Sequence, residues 1–189
     1  MYNIVVFASG NGTTLQAIID NINNGTLQAS ICLVVSDNPN AFALERAVQN
    51  SIPTYVIKNK TVTDIDLELL NELEKYKIDL IFLAGYLKMI GENLISKYTI
   101  INTHPGLLPK YGGKGMYGVH VQEAVLKAGE EYGGVTVHYV NSEYDKGDII
   151  AQTKVKIEED TPESLFTKVQ AAEKIQLIEV LKKFVTEQK

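Results

Sequence analysis

The sequence predicts an α/β protein: a doubly wound, mostly parallel sheet with an antiparallel C-terminal strand pair and a long C-terminal helix. Three observations carry this reading. In the first half of the chain, short apolar runs bounded by turn residues alternate with stretches of helical periodicity, the signature of strands joined by helical crossovers. The last third changes to strict alternation on either side of a short, turn-rich connection, which forces an antiparallel pair. A helix start at Thr161-Pro162-Glu163 then combines a Thr cap, Pro at the first helical position and an acid in the first turn.

Taken in order, Asn3–Ala8 is a β-rich run, followed by Leu15, Ile18, Ile19 and Ile22 at helical spacing and by Asn24-Gly25 as a stop. Ile31–Val35 is the second strand and Ala41–Asn50 the second helix. Asp66–Tyr76, with Leu67, Leu70 and Leu73, gives another helix, and Asp79–Leu83 and Thr99–Asn102 give two further strands. Val135, Val137 and Tyr139 then alternate with Thr136 and His138, and Ile149–Ile157 completes the pair. The final helix is expected to run through Phe184. No repeat, low-complexity tract or linker interrupts the 189 residues, so the expectation is one domain, 1–189.

Composition excludes several classes. A net charge of −5 with Arg46 as the lone arginine lacks the clustered cations that nucleic acid demands. No apolar run approaches the roughly 20 residues that span a bilayer, and Met1–Ala8 lacks the basic flank and the length of a signal peptide core. A single cysteine, Cys32, forbids an internal disulfide and suits a reducing compartment, so a cytoplasmic location is expected.

Chemistry concentrates at Asn102-Thr103-His104-Pro105-Gly106-Leu107-Leu108-Pro109. An amide and an imidazole two residues apart at a strand end point the same way, and strand ends of α/β sheets collect ligands. Pro105 and Pro109 stiffen the chain beyond the imidazole. The turn Tyr144-Asp145-Lys146-Gly147-Asp148 offers a carboxylate. Asn, His and Asp together can polarise a carbonyl, move a proton and orient the imidazole, although each alone reads as structural. His120 opens a helix and His138 lies on one sheet face, so both are read as structural.

A second motif, Ser9-Gly10-Asn11-Gly12-Thr13-Thr14-Leu15, joins the first strand to the first helix. Its glycines let backbone approach a ligand, and the helix start offers amides and a favourable dipole to phosphate. It lacks the Lys of a Walker loop and the third Gly of a dinucleotide loop, and a simple tight turn is the alternative.

Together these segments resemble the phosphoribosylglycinamide formyltransferase family over nearly the entire chain. The resemblance spans Asn3–Ala17, Leu83–Ile90, Asn102–Tyr111, Glu130-Glu131-Tyr132-Gly133 and Asp145–Gly147. It implies the formyltransferase fold and formyl transfer from 10-formyltetrahydrofolate to the amine of phosphoribosylglycinamide in purine synthesis. Asn102 would stabilise the oxyanion, and His104 would donate to it or relay a proton. Asp145 would pair with His104, favour its charged form and help move the amine's proton. Gly12, Thr13 and Thr14 would hold the phosphate, and Glu173 would accept from ribose hydroxyls. Leu87, Lys88, Met89, Ile90, Asn102, Asn141 and Tyr144 would contact the folate. No metal, nucleic acid or membrane is implied, and the state is monomer or homodimer.

The chain departs from the family pattern in places. Thr13-Thr14 replaces Ser-Asn, Gly106 stands where Ser is common, Lys88 replaces a frequent Arg, and Tyr111–Gly118 is glycine-rich, suggesting a mobile loop near His104. Methionyl-tRNA formyltransferase would need an added C-terminal domain. Formyltetrahydrofolate hydrolase would need an N-terminal regulatory domain, where here the first strand begins at Asn3. A non-catalytic nucleotide- or folate-binding module would not need Asn102, His104 and Asp145 together.

Overall fold

The computed structural model describes residues 1–187. Along the chain lie β1 (Tyr2–Phe7), α1 (Thr13–Asn23), β2 (Ala29–Ser36), α2 (Phe42–Gln49), β3 (Thr54–Val56), α3 (Val62–Leu73) and β4 (Leu80–Leu83). They continue with α4 (Glu92–Lys97), β5 (Ile100–His104), α5 (Val119–Lys127), β6 (Tyr132–Tyr139), β7 (Ile149–Lys156) and α6 (Pro162–Glu187). The strand order is β3-β2-β1-β4-β5-β6-β7, which bears out the mixed, mostly parallel sheet. Two compact units are distinguished, one of Met1–Asn102 with the segment from Phe184, the other of Thr103–Lys183.

In the first unit every pairing is parallel: β1 with β2 and β4, β2 with β3, β4 with β5. Val5, Val6 and Phe7 are fully buried in succession, as are Leu80, Ile81 and Phe82. Consecutive burial means that both sheet faces are covered, which is why these strands read as unbroken apolar runs. The chain order reverses between β1 and β4, the switch point at which open α/β sheets bind ligands. α1 buries Leu15, Ile18 and Ile19 and stops at Asn24, as the Asn-Gly pair predicts.

Three differences from the predicted elements have local causes. α3 begins at Val62 rather than Asp66, because the Thr61 hydroxyl accepts from Asp64 N–H at 3.2 Å and caps the helix early. Its inward face is Ile65, Leu69 and Leu73, while Leu67 is half exposed. β3 and α4, too short to show a period, were not predicted; α4 starts where buried Asp66 accepts from the Asn93 and Leu94 amides at 3.1 Å each. β5 runs two residues past Asn102, so His104 stands on the strand and not after it.

In the second unit β6 and β7 pair antiparallel, as predicted, with Val135 opposite Thr153 and a register shift at His138. Thr161 caps α6 by accepting from Ser164 N–H at 3.2 Å, and the helix continues past Phe184 to Glu187. Val121, Val125, Val135, Leu165 and Val169 form this unit's buried cluster.

Candidate active site

His104 is the last residue of β5 and is buried. Asn102 precedes it by two residues and shares its strand face, while Thr103 points to the other. The β6–β7 turn brings Asp145 to the imidazole, with Nδ1 3.4 Å from Oδ2, so the pairing is direct. Asp145 itself adopts φ 56°, and Gly147 is indispensable to the turn, since any Cβ there would overlap the Tyr139 carbonyl. Gly113 N–H donates to Asp145 Oδ2 at 2.8 Å, and His104 Nε2 lies 2.8 Å from the Tyr111 carbonyl oxygen. The glycine-rich segment is therefore next to His104, as its place in the sequence suggests.

The backbone after His104 is stapled by polar groups of unit-two elements. Gln122 of α5 donates to the Pro105 carbonyl at 2.7 Å. The buried Thr136 hydroxyl of β6 donates to the Gly106 carbonyl at 2.6 Å and accepts from Leu108 N–H at 3.1 Å. Gln152 of β7 donates to the Leu108 carbonyl at 2.8 Å. Buried peptide groups demand such partners, and here the partners also fix the chain that carries the imidazole. Gly106 has a reason of its own: a Cβ would sit 3.0 Å from both His104 Nε2 and Val121 Cγ1.

Asp145 and the Tyr111 contact both favour a charged His104, but burial outweighs them and lowers the imidazole pKa below 6.5. For Asp145 burial pushes upward, yet His138, the His104 charge and the Gly113 amide together hold the carboxyl below 3.8. The pair thus combines a neutral-leaning imidazole with a firmly ionised carboxylate.

His138, read from sequence as structural, sits with Nε2 3.5 Å from Asp145 Oδ1 and its Nδ1 2.7 Å from the Tyr139 carbonyl oxygen. Its placement follows from the hairpin: a residue near the end of β6 neighbours the turn that holds Asp145. His120 is exposed and pairs with Glu123 on the same helix at 3.2 Å, consistent with a structural role.

In the first unit the loop between β1 and α1 is ordered by its carbonyls. Asn38 donates to the Ser9 carbonyl at 3.3 Å, Ala43 N–H to that of Gly10 at 3.1 Å, and Arg46 Nε to that of Asn11 at 2.8 Å. Engaging the carbonyls this way leaves the α1 N-terminus to present amides. Gly12 is the N-cap, at φ 66°, and a Cβ would lie 2.7 Å from Ala43 Cα. Neither Thr caps the helix; Thr13 is exposed and Thr14 half-buried. Sequence reasoning placed Ser9 in this motif without a role of its own and missed the part Arg46 plays. The Ser9 hydroxyl donates to Asp37 at 2.6 Å and accepts from Leu87 N–H at 3.2 Å.

The other expected residues divide. Leu87 and Lys88 are exposed, Met89 is half-buried and Ile90 is core. Asn141 is exposed and accepts from Glu143 N–H at 2.9 Å; Tyr144 is exposed. Glu173 of α6 accepts from the Thr103 hydroxyl at 3.0 Å, on the strand side opposite His104. Among the described residues no cluster of His, Cys, Asp and Glu is suited to a metal ion, and no helix is long and apolar enough to cross a membrane.

Residues 2–181 match the formyl transferase family. The chain is 39% identical over 185 residues to the chloroplastic phosphoribosylglycinamide formyltransferase of Arabidopsis thaliana, covering 94% of this chain and 63% of that protein. It is 37% identical to the trifunctional purine biosynthetic protein adenosine-3 of Drosophila melanogaster, covering 90% of this chain and 13% of that protein. The chain therefore spans less than two thirds of the length of these two relatives. The crystal structure of phosphoribosylglycinamide formyltransferase from Bacillus halodurans superposes with a TM-score of 0.90 at 35% identity, covering 99% of this chain and 97% of that one. The fold, the strand-end His–Asp pair and these likenesses agree: the chain belongs to the formyl transferase family and, within it, to the phosphoribosylglycinamide formyltransferases.

Proposed function

We propose that the chain transfers a formyl group from 10-formyltetrahydrofolate to the amine of phosphoribosylglycinamide, a step of de novo purine (IMP) biosynthesis. The observation that carries the reading is the buried His104–Asp145 pair at the end of β5, two residues from Asn102 on the same strand face. Asn102 would donate to the formyl oxygen as negative charge grows there. The substrate amine is itself the nucleophile, so no covalent enzyme intermediate is needed. Its nitrogen bonds to the formyl carbon, the bond from that carbon to the folate nitrogen breaks, and the amine's proton ends on that nitrogen. His104, neutral-leaning, would donate to the oxyanion or relay this proton, and Asp145 would stabilise the imidazolium as it forms.

Gly12, Thr13 and Thr14 would hold the phosphate at the α1 N-terminus, and Glu173 would accept from ribose hydroxyls beside its bond to Thr103. Leu87, Lys88, Met89, Ile90, Asn102, Asn141 and Tyr144 would meet the folate. We take residues 1–189 as one catalytic domain, acting on small molecules in the cytoplasm without metal or nucleic acid, as monomer or homodimer. Incubating the purified chain with both substrates and weighing the products tests the reading. A formylated ribonucleotide supports it, while formate alone or no turnover sinks it, the first in favour of the hydrolase.

A further inference from the structure

Tyr111 holds a backbone conformation that bulky L residues avoid, with φ 56°. Two contacts pin it there. Its phenol donates to Glu130 Oε1 at 2.8 Å, and that carboxylate is also paired with Lys110 at 2.9 Å. At the other end its carbonyl oxygen stands 2.8 Å from His104 Nε2. A carbonyl can only accept, so this contact is a hydrogen bond when Nε2 carries the proton. Its ring packs beside the cluster of Val121, Val125, Val135, Leu165 and Val169, a contact that a phenylalanine ring would keep while losing the hydroxyl's bond.

This bears on which nitrogen of a neutral His104 is protonated, because two acceptors compete for one proton. Asp145 Oδ2 faces Nδ1 but at 3.4 Å, beyond a good hydrogen bond, whereas the Tyr111 carbonyl is at a favourable 2.8 Å. A carboxylate is the stronger acceptor at equal distance, so without the carbonyl the proton would move to Nδ1. We infer that Tyr111 and Glu130 are positioning residues that form a tautomer clamp: the phenol–carboxylate bond holds Tyr111 in its left-handed conformation, its carbonyl claims the Nε2 proton, and His104 waits as an Nε2–H donor. In turnover the formyl oxygen takes over that proton's bond from the Tyr111 carbonyl. This last use rests on the formyl-transfer reading; the clamp itself does not.

Nitrogen-15 NMR of the full chain, with labelled histidine and at a pH slightly above neutral, reads the tautomer directly. The wild type is expected to show Nε2–H at His104. Tyr111→Phe, which keeps the ring, and Glu130→Ala, which removes the other end of the bond, are each expected to shift the tautomer ratio toward Nδ1–H by about three- to tenfold, the worth of one net hydrogen bond. Both variants are expected to lower kcat by about tenfold, part of what an acid–base group contributes, with KM nearly unchanged. An Nδ1–H wild type, or an unmoved ratio in both variants, overturns the clamp. A shifted ratio with unchanged kcat overturns its part in turnover. A wild type that transfers no formyl group refutes the reaction assignment, while the spectra still decide the clamp.

Discussion

The Ser9–Thr14 loop and the surroundings of Asp145 solve different problems with different materials. The loop is mostly backbone: its carbonyls are occupied by Asn38, Ala43 and Arg46, and its character comes from a glycine at φ 66° that starts a helix. Around Asp145 the working groups are side chains withdrawn from water, with His104 and His138 both nearly inaccessible and an amide from Gly113 completing the carboxylate's partners. A loop of amides can attract an anion at any pH and tolerates solvent. A buried His–Asp pair is tuned by desolvation and is correspondingly sensitive to any change of charge. Substitutions in the loop should therefore act on substrate affinity and stability, and those around Asp145 on turnover and on the response to pH.

The sharpest way to break this contrast is Asp145→Asn, which keeps the shape and removes the charge. Turnover is expected to fall on the order of 10³-fold while KM for the ribonucleotide holds, measured by steady-state kinetics with both substrates. A loss under tenfold would show that the buried carboxylate is scaffolding. Next in size is Gly12→Ala. The left-handed backbone and the overlap with Ala43 together are expected to cost about 2–4 kcal/mol. Urea unfolding should show the lowered midpoint and kinetics a raised KM for the ribonucleotide; an unchanged midpoint would mean that the loop gives way easily.

The pH response should separate the two regions further. His104 has a folded pKa below 6.5, so above that value folded and unfolded chains are alike, the imidazole being neutral in both. As pH falls through 6.5 the unfolded chain takes up the proton first, and stability declines until the lower folded value is reached. Asp145 adds stability that is complete above 3.8 and is lost as pH falls through its own depressed value. Melting temperature is therefore expected to drop as pH is lowered from 6.5, and His104→Gln should flatten the upper part of that drop. Parallel curves for variant and wild type would show that another group drives it.

The difference between the regions also governs what could be read from sequence. β1, β2 and β4 were legible because burial on both faces makes them continuous apolar runs, and β6 because Val135 and Val137 alternate with Thr136 and His138, although all four are buried. β3, an edge strand of three residues, Thr54–Val56, has neither signal. α4 was hidden because its cap, Asp66, lies far back in the chain. Of the proposed site residues, Asn102, His104 and Asp145 stood out by type and by position at strand ends and turns. His138 did not, because alternation with apolar neighbours is what a packed histidine also shows. Tyr111 acts through a carbonyl, and no residue type encodes what its backbone oxygen will accept.

Ser9 carries the smallest expected effect and bears on the contrast from the loop's side. Here a side chain of the loop itself takes part in the ordering. Its hydroxyl joins Asp37, just after β2, to the amide of Leu87, just after β4, while its own N–H reaches the Gly85 carbonyl at 3.4 Å. Ser9 thus ties the proposed phosphate loop to the proposed folate segment at the sheet's switch point. Ser9→Ala removes two half-exposed hydrogen bonds, each worth about 1 kcal/mol, and spares the chemistry. KM for both substrates is expected to rise about three- to tenfold with kcat little changed, and Ser9→Thr should restore most of the loss. A rise confined to one substrate would mean that the hydroxyl supports one segment only. A fall in kcat would mean that the loop and the proposed catalytic pair are coupled, and that affinity and turnover are not separately built.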